Sequence, residues 1–553
     1  MAGKKPDNGV GNEAAEGDFD YLIVGGGAAG CVLAARLTEE PGVSVCLLEA
    51  GPEDRNPLIR IPAGVIKLLF DPKVAWQFTT EGSAGTNGRG IFAPQGKVLG
   101  GSSSINGMIY NRGLPVDFDS WAQAGNAGWG FQDILPYFKK SERRIGGADS
   151  AYRGRHGAIP VSDNEWTTPL TDAFIEGVSA LGVPRNPDYN AASQAGVGYM
   201  QRAIENGRRV NAVRGYLGAA RKRAGLRVIC EAHVSKILFD GRRACGVTYM
   251  RRGQSQHHTL RARREVIVCS GALNTPKLMQ MSGVGPAELL QRFGIDVVHA
   301  LPGVGRNLSD HYGARTVVEV KNSPTANELS RGPRLGWEVA KWLMGKPSIL
   351  GLSSSLAYVF WKSRAEEEYP DLQFVLSPIS FKAGLFGVPD DFPGVSLGVW
   401  PHRPHSRGFV EIRSTDAFDD PVVQPNYLQA AYDQQTMVAG VRLSRKFLGT
   451  PELAPYVVRE SVPGAGLQSD DELLDFARQN GSTIYHFVGT SRMGPASDVN
   501  AVVDDRLRVH GLEGLRIVDA SIMPDVPSGN TYAPTLMIAE KAADMIREDM
   551  RGL

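Results

Sequence analysis

A chain of 553 residues that is 42% hydrophobic has apolar mass for two or three domains, and its net charge of +1 argues against wholesale nucleic-acid binding. Its five cysteines, Cys31, Cys46, Cys230, Cys245 and Cys269, show no CxxC pair, hence neither a thiolate zinc site nor a disulfide framework, and they suit a reducing, cytoplasmic setting. Residues 1–18 are polar without an apolar core, which predicts a disordered tail rather than a signal peptide.

From residue 19 the pattern predicts strand, glycine turn, helix and strand: Phe19 to Val24, Ala28 to Thr38, Val43 to Glu49. The turn carries GxGxxG at Gly25, Gly27 and Gly30, with Ala28 and Ala29 opening the helix, and Glu49, followed by Ala50, stands 19 residues past Gly30. Glycines there let the backbone approach a pyrophosphate, the helix N-terminus attracts its charge, and the glutamate accepts from a ribose hydroxyl. NAD and FAD satisfy these residues equally, since each carries an ADP half.

Next, "GKVLGGSSSINGMIY" (96–110) gathers Val98, Gly100, Gly101, Ser102, Asn106, Gly107 and Met108 into a loop able to lay amides and hydroxyls along a flat polar cofactor. The stretch 208–264 holds fifteen Lys or Arg against Glu231 and Asp240, and reads as a solvated face. Alternation over 226–250 with an Asp240-Gly241 turn predicts an antiparallel meander, and the adjacent His257 and His258 a polar turn. "EVIVCSG" (265–271), ending in Ser270 and Gly271, and "LRIVDAS" (515–521), ending around Asp519 and Ala520, read as buried strands of a parallel sheet.

Between about 316 and 470 the texture changes to strand-like runs and polar helices, as in a second, inserted domain. Within it "GVSLG" satisfies the hydrolase GxSxG around Ser396, but "VWPHRPHSRG" follows where a helix is required. His402 and His405 are separated by Pro404, which disfavours a helix that aligns both rings on a metal, so they read as surface loop and no metal site is predicted. From 533 apolar residues recur at helical spacing, predicting a terminal amphipathic helix just after Asn530 and Thr531.

The loop at 96–106, "GALNTPKLMQMSGVG" (271–285), "LPGVGRNLSDH" (301–311), and the run from "YHFVGTSRMG" (485–494) to "DASIMPDVPSGNTYAPTLMIAEKAAD" (519–544) together resemble the glucose-methanol-choline (GMC) family of FAD-dependent oxidoreductases. The resemblance implies an α/β fold: a Rossmann-like FAD-binding domain (19–160, 205–315, 471–550), with a parallel sheet and a meander, and a substrate domain (161–204, 316–470) built on an antiparallel sheet flanked by helices. It places Glu49 on the adenosine ribose, the Val234 backbone on adenine, Gly100, Gly101, Asn106 and Gly107 by the flavin, and Asp519 and Ala520 along the ribityl-pyrophosphate chain. Relatives that tether FAD covalently use a histidine where this chain has Ile105, so FAD is expected to be dissociable.

His486 matches the catalytic histidine, the base for a hydroxyl proton, and Asn530 its hydrogen-bonding partner; amides at Thr531 and Tyr532 are candidate donors to the reduced cofactor. The expected reaction is oxidation of a primary alcohol to an aldehyde, with oxygen or a quinone as acceptor. Hydroxynitrile lyases and fatty-acid photodecarboxylases share the scaffold and are the alternatives. Trp76, Phe78, Phe374, Trp400 and Tyr485 are the aromatic candidates for a substrate wall.

Overall fold

The computed structural model describes residues 17–147, 150–251, 253–254, 256–382 and 387–552. Of the tail expected at 1–18, residues 1–16 lie outside the described residues, and Asp18 already begins the first strand. Asp18–Val24 runs parallel to Val45–Leu48 on one side and to His257–Val268 on the other. Leu226–Ile229 extends this sheet beyond Val45–Leu48, and Leu515–Ile517 flanks the end of His257–Val268, all in parallel. Leu22, Ile23, Leu47, Val266 and Ile267 are fully buried, as continuous apolar strands covered on both faces must be.

His257–Val268, twelve residues long, serves two partners. Its second half completes the parallel group, whereas its first half pairs antiparallel with Arg243–Met250, which pairs in turn with His233–Asp240. The meander therefore begins at His233, not at Leu226 as alternation suggested: Glu231 takes a left-handed φ of 56°, and that turn leaves Leu226–Ile229 at the edge of the parallel group. His257 and His258 lie in this strand and not in a turn, with the His258 ring stacked on Tyr249 at 4.9 Å.

The helix Ala28–Leu37 packs against the terminal helix Tyr532–Arg551. Fully buried Glu540 ties them, accepting from Arg36 Nε (2.9 Å), Arg36 Nη2 (2.8 Å) and the Tyr216 hydroxyl (2.9 Å). That bond sets the start of the terminal helix beside the glycine turn. Glu540→Ala leaves the partly buried guanidinium without this acceptor and is expected to cost about 2–4 kcal/mol, read as a lowered unfolding midpoint in denaturant.

The second sheet is antiparallel, in the order Val457–Val462, Tyr312–Val320, Gly394–Pro401, Leu372–Ser377, Ala357–Trp361, Gly196–Tyr199. One face packs on the helix Ala431–Leu448 through Phe374, Leu397, Val399, Met437 and Val441. Gly440 permits that approach, because a Cβ there would stand 2.8 Å from Val399 Cγ2. The other face borders a cavity shared with the first sheet.

The fold corrects two sequence readings, those of Phe374 and His402, and agrees with the rejection of a hydrolase elbow at Ser396. Phe374, opposite Val399 in the ladder, points to the helix side, meets Phe447 edge-on and does not line this cavity. Ser396 sits within the strand Gly394–Pro401, with no nucleophile elbow, and its hydroxyl donates to the Ile379 carbonyl at 2.7 Å. His402 follows that strand and is fully buried, not on a surface loop, with Nε2 3.3 Å from Gln373 Oε1, while His405 stacks on Tyr432.

Candidate active site

A cavity of about 560 Å3 runs from the glycine turn to the second sheet, within the usual range of small-molecule sites. At one end it is lined by Gly25, Gly27, Ala28, Ala29, Glu49, Ala50 and Val234; in the middle by Gly101, Ser102, Asn106, Gly107, Met108, Ser270, Gly271, Asp519 and Ala520; at the far end by His486, Asn530 and Thr531. Gly30, Val98 and Gly100 do not line it, although the sequence grouped them with the binding residues. A Cβ at Gly30 would fall 2.0 Å from the Gly25 carbonyl, so this glycine lets helix and turn close up. Gly100 donates to the Gly26 carbonyl at 2.7 Å, and Val98 belongs to an apolar cluster with Ile59, Leu68 and Ile105.

The cofactor end consists of backbone and satisfied acids. Glu49 accepts from the N–H groups of Gly26 (2.9 Å) and Gly51 (2.8 Å), and burial pushes its carboxyl up to about 7. Asp519 accepts from Gly271 N–H (2.8 Å), the Thr275 hydroxyl (2.6 Å) and Ser521 N–H (2.8 Å), joining the start of the helix Gly271–Met281 to the last crossover. Gly101, at φ 52°, faces Gly27 so closely that a Cβ would lie 2.7 Å from the Gly27 Cα. Buried Arg209, which the sequence did not single out, braces the 96–108 loop by donating to Asn106 Oδ1 (2.7 Å) and the Ser103 carbonyl (3.2 Å).

At the far end His486 Nε2 lies 3.0 Å from Asn530 Nδ2, and His486 Nδ1 lies 2.8 Å from His311 Nδ1. His311 Nε2 in turn lies 2.7 Å from the His402 carbonyl. These contacts fix every proton. A carbonyl only accepts, so Nε2 of His311 carries hydrogen; burial lowers His311 to about 4, so it is neutral and its Nδ1 is a lone pair. His486 Nδ1–H therefore donates to it, and the His486 lone pair is left on Nε2, facing the cavity and Asn530. That lone pair also sets the amide: Nδ2 faces the ring, and Asn530 Oδ1 is buried without a hydrogen-bond partner.

Burial, and then the neighbouring His311, hold His486 well below the ordinary histidine value of 6.5. The backbone beneath it is pinned by Asp310, whose Oδ1 accepts from His486 N–H (2.7 Å) and whose Oδ2 accepts from the hydroxyls of Tyr427 (2.5 Å) and Thr483 (2.6 Å). Thr483 also receives the N–H of Tyr485 at 2.8 Å, holding that residue at a left-handed φ of 66°. Sequence reasoning quoted Asp310 and His311 within a motif without giving either a role. Of the aromatic candidates, Trp76, Phe78, Trp400 and Tyr485 do line the cavity.

A Rossmann-type unit whose glycine turn opens into a cavity ending at an unprotonated histidine defines a dinucleotide-dependent oxidoreductase. Residues 19–313 and 404–539 match the N-terminal and C-terminal models of the GMC oxidoreductases, and the chain belongs to that family. It is 41% identical over 539 residues to the alcohol dehydrogenase [acceptor] of Pseudomonas putida, covering 97% of each chain. It is 40% identical over 540 residues to human mitochondrial choline dehydrogenase, covering 96% of this chain and 90% of that one. Among solved structures, formate oxidase of Aspergillus oryzae, described for its FAD modification, superposes with a TM-score of 0.90 at 26% identity, covering 98% of this chain and 100% of that one.

The cofactor of this enzyme is FAD. The residues fit it: the Gly27–Gly101 slot has no room for a side chain, hydrogen-bonded Glu49 and Asp519 border the nucleotide side, and the orphaned Asn530 amide oxygen lies at the far end. No described helix is long and apolar enough to cross a membrane, and no group of three or more His, Cys, Asp or Glu among the described residues is placed to hold a metal.

Proposed function

We propose that the enzyme oxidises a primary alcohol to an aldehyde, with His486 as the base for the hydroxyl proton and Asn530 as the group that orients the hydroxyl. Bound FAD supplies the hydride acceptor. The observation that carries this reading is the lone pair on His486 Nε2 beside an amide N–H: an alcohol oxygen entering between them donates its proton to the ring and accepts from Asn530. The imidazolium so formed keeps its Nδ1–H directed at the His311 lone pair, which stabilises the charge. The names of the relatives, alcohol and choline dehydrogenases, support alcohol oxidation over the lyase and decarboxylase readings.

Anaerobic mixing with a panel of primary alcohols tests it. Loss of flavin absorbance is expected, and its return on admitting air or a quinone identifies the acceptor. A flavin that no alcohol bleaches, combined with cyanide release from mandelonitrile, contradicts it.

We also propose that FAD is held without a covalent bond, since Ile105, buried at the cavity wall, has no nucleophilic nitrogen. Acid precipitation is expected to leave all yellow colour in the supernatant; colour in the pellet refutes this.

A further inference from the structure

Among the described residues the side-chain amide of Asn530 has one hydrogen bond, from Nδ2 to His486 Nε2 at 3.0 Å, and its Oδ1 has none. Where that amide points is therefore inherited from the backbone that carries it. Two residues earlier, Ser528 is fully buried and held at all three of its polar groups. Its N–H donates to Asp117 Oδ2 (2.7 Å) and its hydroxyl to Asp117 Oδ1 (2.7 Å), while its carbonyl accepts from Gln194 Nε2 at 2.6 Å. The hydroxyl also accepts from Arg403 Nη1 at 3.2 Å. Between Ser528 and Asn530, a Cβ on Gly529 would stand 2.4 Å from Asn111 Nδ2, so Asn111 walls the loop on that side.

Asp117 is buried in the first turn of the helix Pro115–Gln123. One of its bonds serves that helix: Oδ2 accepts from Leu114 N–H at 2.7 Å, the capping bond of an acid at the third helical position. The other two go to Ser528, 411 positions further along the chain, and contribute nothing to the cap. A positioned group displaced by about 1 Å costs about 10²-fold in rate, so this grip bears on the speed of the reaction. We propose that Asp117 is a positioning residue of the oxidation site: acting through Ser528, it holds Asn530 where its amide meets the lone pair of His486. The proposal rests on the role given to Asn530 above and adds the residue that enforces it. Arg403 joins the same grip to the histidine series, because it follows His402, whose carbonyl holds His311.

A double-mutant cycle on the FAD-loaded enzyme tests it. The readout is the limiting rate of anaerobic flavin reduction by whichever of 1-butanol, 1-hexanol, benzyl alcohol and choline bleaches the wild-type flavin fastest. Asn530→Ala is expected to slow reduction by about 10²-fold and Asp117→Ala by about 10–100-fold, with flavin retained in both. Adding Asp117→Ala to Asn530→Ala is expected to slow it further by no more than about twofold, because the group being positioned is already gone. Asp117→Asn, whose amide oxygen can still accept the two N–H groups, is expected to recover most of the rate. Ser528→Ala leaves the Leu114 cap intact, is expected to show a loss of the same kind, and replaces Asp117→Ala in the cycle if that variant does not retain flavin.

A residue that merely stabilises the fold acts alike in both backgrounds. Equal losses from Asp117→Ala with and without the Asn530 amide, or no loss with it, therefore overturn the proposal. Asn530→Ala at the wild-type rate overturns the orienting role of Asn530 and this proposal with it, and a wild-type flavin that no alcohol bleaches overturns oxidation itself and both of these with it.

Discussion

Replacing His486 with alanine is expected to slow anaerobic flavin reduction by about 10²–10⁴-fold while the visible spectrum of the bound flavin stays unchanged. The basis is positional. His486 is the one imidazole of the His402–His311–His486 series whose free lone pair opens on the cavity, and its ring makes no contact on which the glycine cradle depends. The pH profile supplies a second signature. Activity requires the unprotonated ring, so it is present above the ring's pKa and lost as pH falls through it. That value lies well below 6.5, and the reduction rate is expected to stay level as acidity increases past pH 6.5. An acid limb centred at or above 6.5, or a His486→Ala enzyme of undiminished rate, contradicts the assignment.

The second large effect is expected at His311. His311→Leu removes the acceptor for His486 Nδ1–H, so the base can place its hydrogen on Nε2 and lose the lone pair toward the substrate. Loss of tautomer control in a hydrogen-bonded catalytic pair costs orders of magnitude; a decrease of about 10²-fold or more is expected here, with flavin content unaffected. His311→Gln, whose amide oxygen can accept from the ring, is expected to recover part of it. Equal losses in Leu and Gln variants would mean that His311 acts by packing alone.

The first sheet was legible because its signals are local. A strand, a glycine turn and a helix occupy twenty consecutive residues at 18–37, and the steric reason for Gly30, the Gly25 carbonyl, lies within that stretch, although a Cβ at Gly25 would meet the distant Cys269 carbonyl. The proposed catalytic pair, His486 and Asn530, was legible through a motif, since no periodicity distinguishes His486, flanked by Ile484, Phe487 and Val488, from a core histidine. Its supports were not. His311 meets His486 across 175 positions, and Asp310 holds the backbone of a loop that occurs late in the chain.

Facing was hidden for a related reason. Phe374 and Val375 are adjacent in sequence, yet one enters the helix-side core and the other the cavity, and which does which depends on a register with Val399 and Gly398 that composition does not specify. Arg315 illustrates the same limit. In sequence it is one of 60 Lys and Arg residues, and only the folded ladder, which sets it opposite Gly398, brings it to the cavity lining.

The central claim is that His486 strips the hydroxyl proton as the same carbon gives up its hydride. Anaerobic stopped-flow reduction by a primary alcohol deuterated at the carbinol carbon tests it most directly. The account predicts bleaching of the flavin that is slower with the deuterated alcohol than with the ordinary one; equal rates for both, or a flavin that neither alcohol reduces, would contradict it.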